Sequence, residues 1–130
     1  MSIFKSGKTN TTGKQAERLA ARYLKKHGLK AIAKNFYCRF GELDLVMLDT
    51  NVLVIVEVKF RAQNPTVSGI VSGLESIDYK KIKRIVRATN LFVQSEPSLQ
   101  DFPIRFDVAS VTGSLSKPTI DWHRGAFSVE

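Results

Sequence analysis

Glu42, Asp44, Glu57 and Lys59 lie in two runs, 42–48 and 52–60, which contain the alternating Glu-Leu-Asp-Leu and Val-Glu-Val-Lys and are separated by the short polar gap Asp49-Thr50-Asn51. Successive side chains along a strand point to opposite faces, so Glu42 and Asp44 should share a face with Val46 and Leu48. By the same rule Glu57 and Lys59 should share one with Leu53 and Ile55. If residues 50–51 form a two-residue turn, or 49–52 a four-residue loop, paired positions sum to 101. Asp44 then stands opposite Glu57, and Glu42 opposite Lys59. A slip of one residue would scatter these groups over both faces, so the expectation rests on turn length.

Two carboxylates opposed in this way have Cβ atoms ~5 Å apart, and at an effective dielectric of ~20 they repel by roughly 3 kcal/mol. Leu43, Leu45, Val56 and Val58 around them imply a partly buried site. The repulsion must be offset by a proton on one acid, by Lys59, or by a divalent cation. Hard Mg²⁺ or Mn²⁺ suits an all-oxygen pair. A cation on Asp44 and Glu57 would polarise a phosphodiester and acidify a bound water. Lys59 would position that water or steady the developing negative charge. Glu42 would take a metal-bound water or hold Lys59. A surface hairpin knit by cross-strand salt bridges is the plainer alternative.

The elements that must carry these groups can be read from periodicity. Residues 1–13 are rich in Lys, Ser, Thr, Asn and Gly, which reads as a flexible basic arm ahead of a single domain over 14–130. From Lys14 a helix is expected, with Ala16, Leu19, Ala20, Tyr23, Leu24 and His27 on one stripe and Gly28 past its end. Residues 29–36 fit a strand, and 42–48 with 52–60 fit a hairpin. Residues 62–76, with Pro, Gly and Ser, read as a loop. A second helix over 78–94 has Asp78 as N-cap and Pro97 beyond its end. Strands at 105–111 and 119–127 complete the order α-β-β-β-α-β-β, a small mixed sheet flanked by helices.

Twenty Lys and Arg against twelve Asp and Glu give a net charge of +8, which favours polyanionic partners. On the second helix, Lys80, Lys83, Arg84 and Arg87 form an i, i+3, i+4, i+7 stripe with Lys81 beside it. That stripe suits phosphate contact, with a solvated helix face as the alternative. Arg39, just before Gly41, is a further candidate for phosphate contact. The longest apolar run, 52–56, is far short of the ~20 residues of a membrane span. No secretory signal pattern opens the chain, and the single Cys38 excludes an intrachain disulfide, so a cytoplasmic site is expected. His27 is expected to meet the last carbonyls of its helix, Asp107 to make structural hydrogen bonds, and Phe106, Trp122 and Phe127 to be core. His123 and Cys38 receive no role. No Walker loop, dinucleotide fingerprint, serine-hydrolase elbow or zinc spacing is present.

Gly41-Glu42-Leu43-Asp44-Leu45 followed by Val56-Glu57-Val58-Lys59 resembles the D…(D/E)-x-K signature of the restriction-endonuclease-like, PD-(D/E)xK superfamily. The chain as a whole resembles the bacterial YraN family of small predicted endonucleases and, more distantly, archaeal Holliday-junction resolvases. The likeness spans about residues 13–127. It includes Gly13 and Glu17, Ala20 with Tyr23-Leu24, Asn35, Lys81, Arg105-Phe106-Asp107-Val108 and Ala126-Phe127. Residues 67–76 depart from it, with more Ser and aliphatic residues.

The resemblance implies a restriction-endonuclease-like α/β fold with a central mixed sheet of four to five strands. It implies that Asp44 and Glu57 hold the metal, joined by Glu17 from the first helix, with Lys59 as the catalytic lysine and Lys81 as an active-site neighbour. A solvated Glu17 beside Lys14 and Arg18 is the alternative. The expected activity is Mg²⁺- or Mn²⁺-dependent hydrolysis of DNA phosphodiesters, with branched or structured DNA as first candidate. Resolvase action needs two active sites, so a homodimer would fit. A non-catalytic nucleic-acid-binding protein and a purely structural hairpin are the rival readings.

Overall fold

A computed structural model describes residues 11–61 and 78–128. Residues 1–10 of the arm expected over 1–13, and the loop over 62–76 with its departure at 67–76, lie outside the described residues. The elements are α1 (Thr11–Lys26), β1 (Lys30–Cys38), β2 (Gly41–Asp49), β3 (Val52–Arg61), α2 (Tyr79–Gln94), a 3₁₀ turn (Pro97–Leu99), β4 (Ile104–Gly113) and β5 (Pro118–Phe127). Every expected helix and strand is present, within a few residues of its expected ends. Residues 11–13, expected in the arm, already belong to α1.

The five strands form one sheet in the order β1-β2-β3-β4-β5. β3 and β4 run parallel, and the other neighbours are antiparallel. A parallel pair cannot be closed by a tight turn and needs a crossover, which α2 supplies. Strand alternation assigns the faces. Val54 and Val56 pack with Ala16, Ala20 and Leu24 of α1, while Leu53 and Ile55 pack with Ile85, Ala88 and Phe92 of α2. One helix therefore covers each face, a three-layer α/β arrangement consistent with a restriction-endonuclease-like domain.

Local chemistry fixes the helix ends. Gly28, at φ +99°, donates its N–H to Lys25 O while Leu29 N–H reaches back to Leu24 O, a Schellman closure with both leucines buried. Lys25 and Lys26 in the last turn complement the helix dipole. His27 Nδ1 lies 2.8 Å from Tyr23 O, at the carbonyl end as expected. Asp78 caps α2 by accepting from Lys81 N–H at 2.9 Å. Among the described residues no helix is long and apolar enough to cross a membrane.

The far edge of the sheet is locked by Asp107, which is 0% exposed. Its carboxylate accepts from Arg105 Nε, Arg105 Nη2, Trp122 Nε1 and the Gly125 N–H. The structural role expected for Asp107 is what the structure shows, and Phe106, Trp122 and Phe127 pack in or against the core.

Candidate metal and catalytic site at a fork in the sheet

Asp44 occupies the one place in β2 where the pairing lapses on both sides. The β1–β2 register passes from Lys34–Leu45 to Phe36–Leu43, stepping over Asn35 and Asp44. Asn35 is at φ +54°, in the left-handed region. On the other side the β2–β3 ladder runs from Asp49–Val52 to Leu45–Val56 and goes no further. From there β3 continues beside β4, with Glu57 on Val108 and Lys59 on Ser110. The Asp44 side chain enters the fork between β2 and β3, where Oδ2 accepts the Val58 N–H at 2.8 Å. Burial, and then the nearby Glu57 charge, push the Asp44 carboxyl well above the usual carboxylate range, although the Val58 bond opposes the shift.

Two further acids approach this point. One carboxylate oxygen each from Glu17, Glu42 and Asp44 lie within 4.8 Å of one another. Glu17 comes from α1 and Glu42 from the start of β2. Asn35 Nδ2 bridges them, donating to Glu17 Oε1 at 2.9 Å and to Glu42 Oε2 at 2.8 Å. Burial raises the Glu17 carboxyl above its ordinary value, and the Glu42 charge adds to the effect against the Asn35 bond. Glu17 is thus drawn into the acidic group and is not simply a solvated helix residue.

Glu57 reaches the fork differently. It is 6% exposed, and its Oε2 is 2.6 Å from Lys81 Nζ and 3.5 Å from Lys59 Nζ. Lys59 is pulled below the usual lysine range by burial and by the neighbouring Lys81. For Lys81 burial acts in the same direction, but the hydrogen bond and charge of Glu57 outweigh it and hold the ammonium above its ordinary value.

The hairpin register is the expected one, with Leu48 on Leu53, but the expected common face is not found. Leu43 packs in the cluster beneath α2 and Leu45 in the cluster beneath α1, while Val46 belongs to the α2 side and Met47 to the α1 side. The alternation of β2 therefore breaks at Asp44, so Glu42 and Asp44 do not share a face with Val46 and Leu48. Asp44 and Glu57 are not ladder partners either. Asp44 gathers with Glu17 of α1, Glu57 pairs with Lys81 of α2, and the two acids meet electrostatically across the fork.

A sequence profile of the Uncharacterised protein family UPF0102 matches residues 16–111. A UPF0102 protein of Pseudomonas putida (strain GB-1) is 44% identical over 117 residues, which cover 88% of this chain and 91% of the relative. One from Legionella pneumophila (strain Philadelphia 1) is 43% identical over 119 residues, covering 92% and 96%. The chain belongs to the UPF0102 family. The YraN-type resemblance of the whole chain is thereby borne out.

In this UPF0102 chain the basic candidates divide. Lys81 is drawn to Glu57, whereas Lys80, Lys83, Arg84 and Arg87 are exposed along α2. Arg39 is also exposed, its guanidinium 4.7 Å from the centre of the Phe40 ring, and Arg87 approaches the same ring at 5.9 Å. Phe40 therefore joins the β1–β2 turn to the basic face of α2. Asn35 belongs to the family pattern, but the sequence assigns it no role. Its part depends on a left-handed backbone inside a strand, which no spacing rule announces.

Proposed function

We propose that this UPF0102 protein is a divalent-metal-dependent nuclease that hydrolyses DNA phosphodiester bonds. The observation that carries the reading is the gathering of three carboxylates, one with its proton affinity driven up by burial, beside a carboxylate held by two lysines. Such a cluster is costly unless a cation occupies it, and an all-carboxylate donor set suits Mg²⁺ or Mn²⁺. Asp44, Glu17 and Glu42 are the donors in this arrangement, with Glu57 as the fourth that the family pattern implies. The bound cation would supply Lewis acidity toward a phosphate oxygen and toward water.

The protein's own groups contribute the rest. Lys59 and Lys81, anchored on Glu57, present positive charge to the negative charge that builds on a scissile phosphate. Lys80, Lys83, Arg84, Arg87 and Arg39 would bind the phosphate backbone without reading sequence. Branched DNA is the substrate form we favour, with a homodimer supplying two sites, in the cytoplasm where bacterial DNA lies.

The Glu57–Lys81 ion pair favours a second reading, because it neutralises one acid without a cation. On that reading the protein binds nucleic acid and does not cut it. Purified protein should be assayed on labelled linear, single-stranded and four-way DNA with Mg²⁺, Mn²⁺ or EDTA, beside Asp44→Asn and Lys59→Ala. Metal-dependent cutting that both variants lose is the expected result. Binding without cutting, indifferent to EDTA, would establish the second reading. Loss of folding in Asp44→Asn, with neither binding nor cutting, would reduce the cluster to a structural role.

A further inference from the structure

Asn35 is the one side chain at the fork that the proposed chemistry leaves without a task. Its Nδ2 donates to Glu17 Oε1 and to Glu42 Oε2, and its Oδ1 accepts from Lys14 Nζ at 2.9 Å. Turning the amide over would aim its oxygen at two carboxylates and its NH₂ at an ammonium, so the surrounding charges dictate its orientation. Each carboxylate commits one oxygen to the amide. The bond from Lys14, one turn before Glu17 on α1, keeps the amide from swinging away. A lysine at position 35 would neutralise the acids and an aspartate would add to their repulsion, whereas an amide holds them together and leaves their charge intact.

The backbone adopts a costly conformation to do this. An ordinary side chain is rarely found at φ +54° within a strand, and asparagine is among the few that tolerate it. Asn35 lies between the Lys34–Leu45 and Phe36–Leu43 pairs, so the residue that ties down the two neighbouring acids stands beside Asp44 on the adjacent strand.

We infer that Asn35 is a positioning residue, which sets the spacing of Glu17 and Glu42 so that they can share a divalent cation with Asp44. The inference rests on the metal-site reading above. Without the amide, Glu17 and Glu42 repel and turn toward water, and a cation must gather them again. Residues that orient metal ligands in this way typically contribute about 10–100-fold in metal affinity.

The test is calorimetric titration of the full chain with Mn²⁺, with melting temperatures taken in EDTA. Asn35→Gly keeps the left-handed backbone accessible and deletes the amide. Asn35→Ser keeps a single hydroxyl that can serve one carboxylate at most. Wild type should bind Mn²⁺, Asn35→Gly should bind it about 10–100-fold more weakly, and Asn35→Ser should fall between. A merely structural role would lower the melting temperature and leave the affinity of the folded fraction unchanged. If Asn35→Gly does not fold, Asn35→Ser alone decides. Wild-type affinity in the folded Asn35 variants, with binding lost in Asp44→Asn, would overturn the role of Asn35 and spare the metal site. No Mn²⁺ binding by wild type, or unchanged binding in Asp44→Asn, would sink the metal site and this inference together.

Discussion

At the scale of single residues, the fork is a place where stability has been given up. Asp44 is half-buried, near Glu17, Glu42 and Glu57, and its carboxylate accepts from the Val58 N–H. Its carboxyl is raised above the ordinary Asp value near 3.8, burial being the main cause. The folded state therefore keeps this proton at pH values where the unfolded chain has lost it. The folded state binds more protons there, so this group's contribution to stability falls as pH rises from the ordinary value to the folded one. It stays low at higher pH. Asp44→Asn keeps an acceptor for Val58 and carries no charge. In EDTA at neutral pH it should be more stable than wild type by about 0.5–2 kcal/mol, the usual gain when a strained functional position is relieved. The gain should vanish in acid, where Asp44 is neutral. Melting both proteins from acidic to neutral pH checks the sign, and a variant less stable at neutral pH would refute it. Added Mn²⁺ should reverse the ranking, because a ligand stabilises only the form that binds it.

At the scale of elements, the hairpin shows what pattern reading reaches. Its register followed from two dense aliphatic runs and a two-residue gap, because only one pairing lets both bury their faces on the helices. What pattern could not reach is the fork. β3 runs beside β4 from Leu53–Ile104 to Arg61–Thr112, while its ladder with β2 ends at Leu45–Val56, and no local signal encodes where that ladder stops. The switch of face at Asp44 is hidden too, since the alternating sequence Glu-Leu-Asp-Leu gives no sign that Leu43 and Leu45 pack on opposite faces. Strict alternation thus placed Glu57 with Leu53 and Ile55 on the side of α2, as found, but put Glu42 and Asp44 on the face of Val46 and Leu48, whereas they gather with Glu17 of α1. The turn itself carries avoidable strain, with β-branched Thr50 at φ +56°. Thr50→Asn, which the left-handed region accepts, should add about 0.5–1 kcal/mol, part of the roughly 1–2 kcal/mol that conformation costs an ordinary side chain. Urea denaturation should show a raised midpoint with unchanged slope. A lower midpoint would mean that the Thr50 side chain makes contacts that outweigh its strain.

At the scale of the whole molecule, the excess positive charge is unevenly arranged. The acids converge on the fork, whereas Lys80, Lys83, Arg84 and Arg87 stand exposed along α2 and are joined to Arg39 through Phe40. Lys81 belongs to the same helix yet turns to Glu57, so α2 connects the cluster to the basic surface. If that surface follows a DNA backbone, each neutralised phosphate releases about 0.9 counterion, and five contacts give a log–log salt slope near −4.5. Affinity for a duplex, measured in EDTA so that cutting cannot intervene, should then fall roughly 500-fold between about 50 and about 200 mM salt. The double variant Lys83→Ala/Arg87→Ala should reduce the slope by about 2 for any sequence tested, because these contacts read no bases. Asp44→Asn should leave the slope unchanged, since it alters the acidic fork and not the exposed face of α2. A flat salt response in wild type would remove the basic helix from the binding surface, and an unchanged slope in the double variant would move the contacts to another face of the domain.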